Sequence, residues 1–331
     1  MKVTAQWVQK SMAVGQCLIL GILVVMTLGA CEFFNEATAT SIPPTLPPPE
    51  EIRPRIIFVA GICSTNPLGE MTFGEISNWL IQDRGYVPFQ EASEGRPQSE
   101  IYAFSYGAGP NVTVEDIDVD PQTVRYDDDF TTASIRDVHG PRLAKYVKLL
   151  SEKYPGEKFA LIGHSMGGVV ALYAAANPQI ENLLWSVTTI NSPVQGNDAW
   201  RTGVGPVFLP CATLFTPAVI DMDRDNEVMT TIGNVFWSAP EHPIFVATIA
   251  NKCDIVVTTL ATEYPGGDLG VLENADYSNA FVADPDGCTQ LDLPNVDKMK
   301  FEHRAPLLVE TNLAAKQTKI ALQKALSSSL P

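Results

Sequence analysis

Positive charge is scarce in this chain. Its 331 residues carry 22 Lys+Arg against 38 Asp+Glu, a formal net charge of −16, and no basic stripe stands ready to neutralise phosphates. Nucleic acid is therefore excluded as an expected partner. So acidic a body is also repelled by anionic lipid headgroups, and any membrane association needs a covalent or apolar device. Histidine is scarcer still, with four residues, none paired at metal-ligand spacing, and the six cysteines lie far apart. No zinc site is written in this pattern. The body shows no internal repeat, and its hydrophobic share of 45% is ordinary for a packed globule.

Only one long apolar run is present, Met12 to Leu28, without a charge and preceded by Lys2 and Lys10. This is the pattern of an export signal. A retained membrane anchor is the alternative, because about 17 to 25 apolar residues can span a bilayer. The run ends in Leu28-Gly29-Ala30-Cys31, which resembles the lipobox of bacterial lipoproteins, an aliphatic and two small residues before the cysteine that takes the lipid. The resemblance implies a signal peptide over 1–30 and lipid attachment at Cys31. The protein would then sit on the outer face of a bacterial cell membrane. Residues 31–53, with prolines at 43, 44, 47, 48 and 49, read as an extended tether at about 3 Å per residue.

From residue 54 onward the pattern is that of a folded domain. RIIFVAG (55–61) is a short apolar run bounded by Pro54 and Gly61, as expected of a strand buried on both faces. IYAFSYG (101–107), KFALIGH (158–164), SVTTINS (186–192) and PIFVATIAN (243–251) repeat the pattern. Helical spacing is clearest over 135–154, where Leu143, Tyr146, Val147 and Leu150 recur at three and four residues, with a break expected at Gly140-Pro141. Alternating strands and helices predict an α/β fold with a mostly parallel central sheet and helices on both faces.

Within this alternation, KFALIG predicts a strand and MGGVVALYAAANP a helix, so Gly163-His164-Ser165-Met166-Gly167 must reverse direction almost at one residue. Ser165 at the apex is expected to take a strained backbone and present its hydroxyl. Gly163 and Gly167 are needed because side chains there would strike the neighbouring strand or helix. The helix N-terminus beneath favours developing negative charge. In this context GHSMGG is similar to the nucleophile elbow of lipases and esterases. Over roughly 55–325 the chain resembles the α/β-hydrolase superfamily.

The resemblance implies a base and an acid, because a serine hydroxyl is a poor nucleophile alone. The family's order of serine, acid, histidine favours His303, in a loop before the last helical segment, over His139, which lies upstream. His164 lies within the elbow and is read as packing or a hydrogen-bonding support. His242 lies at the wrong end of its strand. Asp254 follows PIFVATIAN at a strand's carboxyl end and is the expected acid, against Asp221, Asp223, Asp225 and four later aspartates. The N–H of Met166 and that of Ile62, or of Cys63, are the expected oxyanion donors. Ala60-Gly61 stands where lipases commonly show His-Gly.

Residues 197–242 read as an insertion, either a satellite core or a cap whose aromatic residues receive an apolar substrate portion. DMDRDNE (221–227) resembles a calcium loop but has Asn226 in place of the glycine and Ile232 in place of the last glutamate. YDDDF (126–130) reads as a solvated turn. Export would oxidise Cys63, Cys211, Cys253 and Cys288, and a Cys253–Cys288 pair would pin the acid loop. The expected activity is cleavage of a small-molecule or lipid ester by Ser165, His303 and Asp254 without a cofactor or metal. The alternatives are an acyltransferase of the same fold and a noncatalytic surface-binding module.

Overall fold

The computed structural model describes residues 52–64, 66–69, 72–89, 99–107, 111–124, 131–196, 216–238, 242–251, 254, 280–283, 303–310 and 316–327. The leader, Cys31, nearly all of the proline-rich tether, residues 126–130, residues 197–215 and the expected Cys253–Cys288 pair lie outside them. Among the described residues no helix is long and apolar enough to cross a membrane.

Six strands form one sheet: β1 (Arg55–Val59), β2 (Ile101–Ala103), β3 (Phe159–His164), β4 (Leu184–Ile190), β5 (Phe245–Asn251) and β6 (Ala280–Ala283). Their order is β2-β1-β3-β4-β5-β6, and every described pairing is parallel. All residues of β1, β3 and β4 are buried, which is why IIFV of β1 and FALIG of β3 read as unbroken apolar runs instead of alternating ones, while β4 buries the hydroxyls of Ser186, Thr188 and Thr189. Each fully buried Ile, Leu, Val or Phe contributes about 1.5–3 kcal/mol of transfer free energy. In β4 an extra residue, Trp185, interrupts the register between the Phe159–Leu184 and Ala160–Ser186 pairs. Its indole Nε1 donates to Ala325 O at 3.1 Å, fastening the last helix to the sheet.

The described helices are α1 (Gly74–Arg84), α2 (Val114–Ile117), α3 (Gly140–Lys153), α4 (Met166–Ala175), α5 (Pro217–Asp221), α6 (Glu227–Ile232) and α7 (Lys316–Ser327). Leu143, Tyr146, Val147 and Leu150 form the buried face of α3. The break expected at Gly140-Pro141 is absent. A wide turn, Ile135–His139, runs straight into α3 and is closed by His139 N donating to Ser134 O at 3.0 Å. Pro141 has no N–H to give, and the wide turn ahead of it leaves that missing donor in the first turn of α3, where it costs least.

Two DMDRDNE residues, Asp221 and Asn226, serve helix starts. Asp221 Oδ2 accepts from Ser134 Oγ at 2.7 Å and from Arg136 N at 3.1 Å, and Asn226 accepts from Val228 N at 3.0 Å to start α6. Among the described residues no group of three or more metal-ligating side chains converges. Of the insertion's aromatics, Phe236 is fully buried with its ring 4.6 Å from that of His242, so this part of the segment is core.

The most demanding packing is between β1, β3 and α4. A Cβ on Gly167 would fall 2.0 Å from Val59 O, and one on Gly163 2.5 Å from Gly167 O. These are backbone contacts that cannot yield as a side chain could. Gly167→Ala is therefore expected to cost about 3 kcal/mol or more in urea unfolding. Gly156→Ala, with open space but a φ of 86°, is expected to cost only about 1 kcal/mol.

Candidate active site

The chain leaves β1 towards one edge of the sheet for β2 and returns to β3 on the other side, so the carboxyl ends of β1 and β3 form the topological switch point of the sheet. Ligands gather at such switch points. Ser165 stands there with φ 54° and ψ −129°, outside the comfortable range of a side-chain-bearing residue. Its N–H is spent on Ile190 O at 2.9 Å, which fastens the apex to β4. Immediately after it α4 begins, and the first N–H groups of a helix, Met166's among them, have no partner inside the helix.

Over the serine runs the loop that leaves β1. A Cβ on Gly61 would come 2.8 Å from Ser165 Cβ, so only glycine lets the two backbones approach this closely. Ser165 is consequently only 9% exposed, less open than its apex position alone would make it. Ser64 N donates to Gly61 O over a long 3.4 Å, and Cys63 has φ 62°, the pattern of a turn that carries Ile62 at its corner. Cys63 is disulfide-bonded. Behind the loop the buried Tyr106 hydroxyl donates to Ala60 O.

Asp254 follows β5, its N–H donating to Asn251 O at 2.9 Å, and its side chain is completely buried. Its Oδ2 lies 2.6 Å from His303 Nδ1. A carboxylate only accepts, so Nδ1 carries the proton and Nε2 is left as the basic nitrogen. The main chain of His303 is fixed as well. His164 Nε2 and Asn191 Nδ2 each donate to His303 O at 3.0 Å, and the rings of His164 and His303 lie 4.6 Å apart. Burial first, then the neighbouring His303 and Arg304, hold the His164 pKa well below the ordinary imidazole value, so this ring is neutral.

The structure thus joins His303 to Asp254 and sets His303 against the residue preceding Ser165. Among the described hydrogen bonds none links Ser165 Oγ to His303, a contact that in such sites commonly tightens only on substrate binding. The other histidines lie elsewhere. His139 is fully buried, edge-on to Tyr106, and His242 faces Glu181 at 3.6 Å. Two residues carried no expected role in the sequence, Asn191 and Tyr106. Only the position of Asn191 directly after a strand, before Ser-Pro, hinted at a turn with a purpose.

Residues 123–207, which include β3, Ser165 and β4, match a family model described as alpha/beta hydrolase fold. The fold is that of the α/β-hydrolases. Solved structures with related coordinates include phospholipase PlaB from Legionella pneumophila, 15% identical, covering 59% of this chain and 38% of that one, with a TM-score of 0.39. The chain therefore spans well under half of PlaB. Bacillus licheniformis lipase BlEst2 in mature form is 16% identical over 71% of this chain and 84% of its own, at a TM-score of 0.38. Est1E from Butyrivibrio proteoclasticus, with ferulic acid bound, is 12% identical over 83% and 90%, at 0.44. No curated protein matches the sequence.

The neutral His164 makes the stability of the protein depend on pH. Its folded pKa lies below the unfolded value near 6.5, so below that pH the unfolded chain binds a proton the folded one refuses. Stability is complete above about pH 6.5 and falls as pH drops, by up to about 1.4 kcal/mol per unit. His242, also depressed by burial, acts in the same direction. In urea titrations between pH 7 and 5, His164→Gln is expected to flatten this slope without abolishing it.

Proposed function

We propose that the protein is a serine hydrolase of carboxylic esters, with Ser165 as nucleophile, His303 as base and Asp254 as the carboxylate that orients it. The observation that carries this reading is the 2.6 Å His303–Asp254 hydrogen bond at the carboxyl edge of an α/β-hydrolase sheet, in a segment held against the elbow that bears Ser165. Ser165 Oγ attacks the ester carbonyl while His303 Nε2 takes its proton. The buried Asp254 keeps Nδ1 protonated and stabilises the imidazolium as it forms. The tetrahedral oxyanion is held by the N–H groups of Met166 and Ile62, at the helix start and the turn facing it, where a preorganised donor is worth about 3 kcal/mol. His303 returns the proton to the leaving alcohol, and water repeats the sequence to release the acid. Nothing in this route requires a cofactor or metal.

The apolar leader and Leu28-Gly29-Ala30-Cys31 support a second part of the proposal: lipid on Cys31 holds the domain outside the membrane by the proline-rich tether. Such placement suits small-molecule or lipid esters as substrates.

Nitrophenyl esters of graded chain length test the chemistry. Ser165→Ala is expected to lose both hydrolysis and fluorophosphonate labelling, and Asp254→Asn to lower kcat by about 10³- to 10⁴-fold with the fold intact. Labelling that survives Ser165→Ala would refute the nucleophile. For the anchor, radiolabelled palmitate is expected to enter the wild-type chain and not Cys31→Ser, with the variant released from membranes.

A further inference from the structure

Asn191 follows β4 directly, is completely buried, and holds φ at 43°, a conformation that asparagine tolerates better than other side-chain-bearing residues. Three of its groups are engaged. Its N–H donates to Ile249 O at 2.8 Å and its Oδ1 accepts from Asn251 N at 2.7 Å, so backbone and side chain together extend the β4–β5 pairing past the end of β4. Its Nδ2 donates to His303 O at 3.0 Å. The orientation of the amide follows from its partners: a backbone N–H can only donate, so the oxygen must face Asn251 and the NH₂ must face the His303 carbonyl.

From this geometry we infer that Asn191 is a positioning residue for the proposed base: clamped to β5, it holds the His303 main chain so that the imidazole meets Asp254 and Ser165 in register. The inference rests on the reading of His303 given above. His164 supplies the second donor to the same carbonyl, but it belongs to β3 and the elbow. Asn191 is the link that ties His303 to β5, whose end also leads to Asp254. Acid and base are thus referred to the same strand, one through the Asn251–Asp254 turn and the other through the Asn191 amide. Without the amide, the His303 carbonyl keeps a single donor and the ring can swing about it. A misplacement of about 1 Å costs on the order of 100-fold in rate.

Two substitutions isolate the effect. Asn191→Gly keeps the backbone at ease at φ 43° and deletes the amide, whereas Asn191→Asp retains an acceptor for Asn251 N–H but sets an oxygen against the His303 carbonyl. Both are expected to remain folded by circular dichroism. Each is expected to lower kcat about 10- to 100-fold while KM changes less than about twofold.

An independent readout is the far-downfield proton resonance of His303 Nδ1–H, assigned by its loss in His303→Gln. It is expected to move or broaden in both variants. A wild-type resonance together with wild-type kcat in both would overturn the positioning role. A perturbed resonance in a chain whose wild type cleaves no ester would uphold the positioning of His303 while refuting the enzymatic reading, so the two failures are told apart.

Discussion

The site depends on how closely α4 can approach β1. With glycine at 163 and 167 the helix starts in direct backbone contact with two strands, closer than any side chain would permit. That contact leaves a single residue in which to turn from β3 into the helix, and Ser165 meets it at φ 54°. The same contact sets the uncommitted N–H groups of the helix start beside the serine hydroxyl. Gly61 closes the arrangement from above, so the Ser165 side chain, helix terminus and facing turn converge in one small volume.

The ends of three adjacent strands then act on one histidine. β3 contributes the His164 donor, β4 the Asn191 donor and the turn after β5 the Asp254 carboxylate. Strand ends of a buried parallel sheet are rigid reference points, and a loop bonded to three of them inherits their precision. The neutrality of His164 matters here. A cation in a ring 4.6 Å from His303 would oppose the imidazolium that the proposed base must become, and burial disfavours that charge.

Features with local causes were legible in the sequence. The elbow is a steric demand confined to five residues, and β1 and β3 announce themselves as continuous apolar runs because both their faces are covered. β6 is only four residues long, too short for periodicity to stand out from its surroundings. Gly140-Pro141 looks like a break because a helix widened ahead of proline has no sequence signature distinct from one that stops. The low exposure of Ser165 and the role of Asn191 arise from contacts between segments 104 and 112 residues apart in the chain. No local pattern encodes them; they follow only once the strand order β1-β3-β4-β5 is known.

The decisive experiment is a crystal structure of the protein after reaction with a phosphonate ester. Phosphorus is expected on Ser165 Oγ, with the phosphonyl oxygen within about 3.1 Å of the Met166 and Ile62 nitrogens. His303 Nε2 should lie within about 3.2 Å of the serine or leaving-group oxygen, with its Nδ1 still on Asp254. An adduct on another residue, or His303 turned out of reach with its Asp254 bond intact, would contradict the proposed triad.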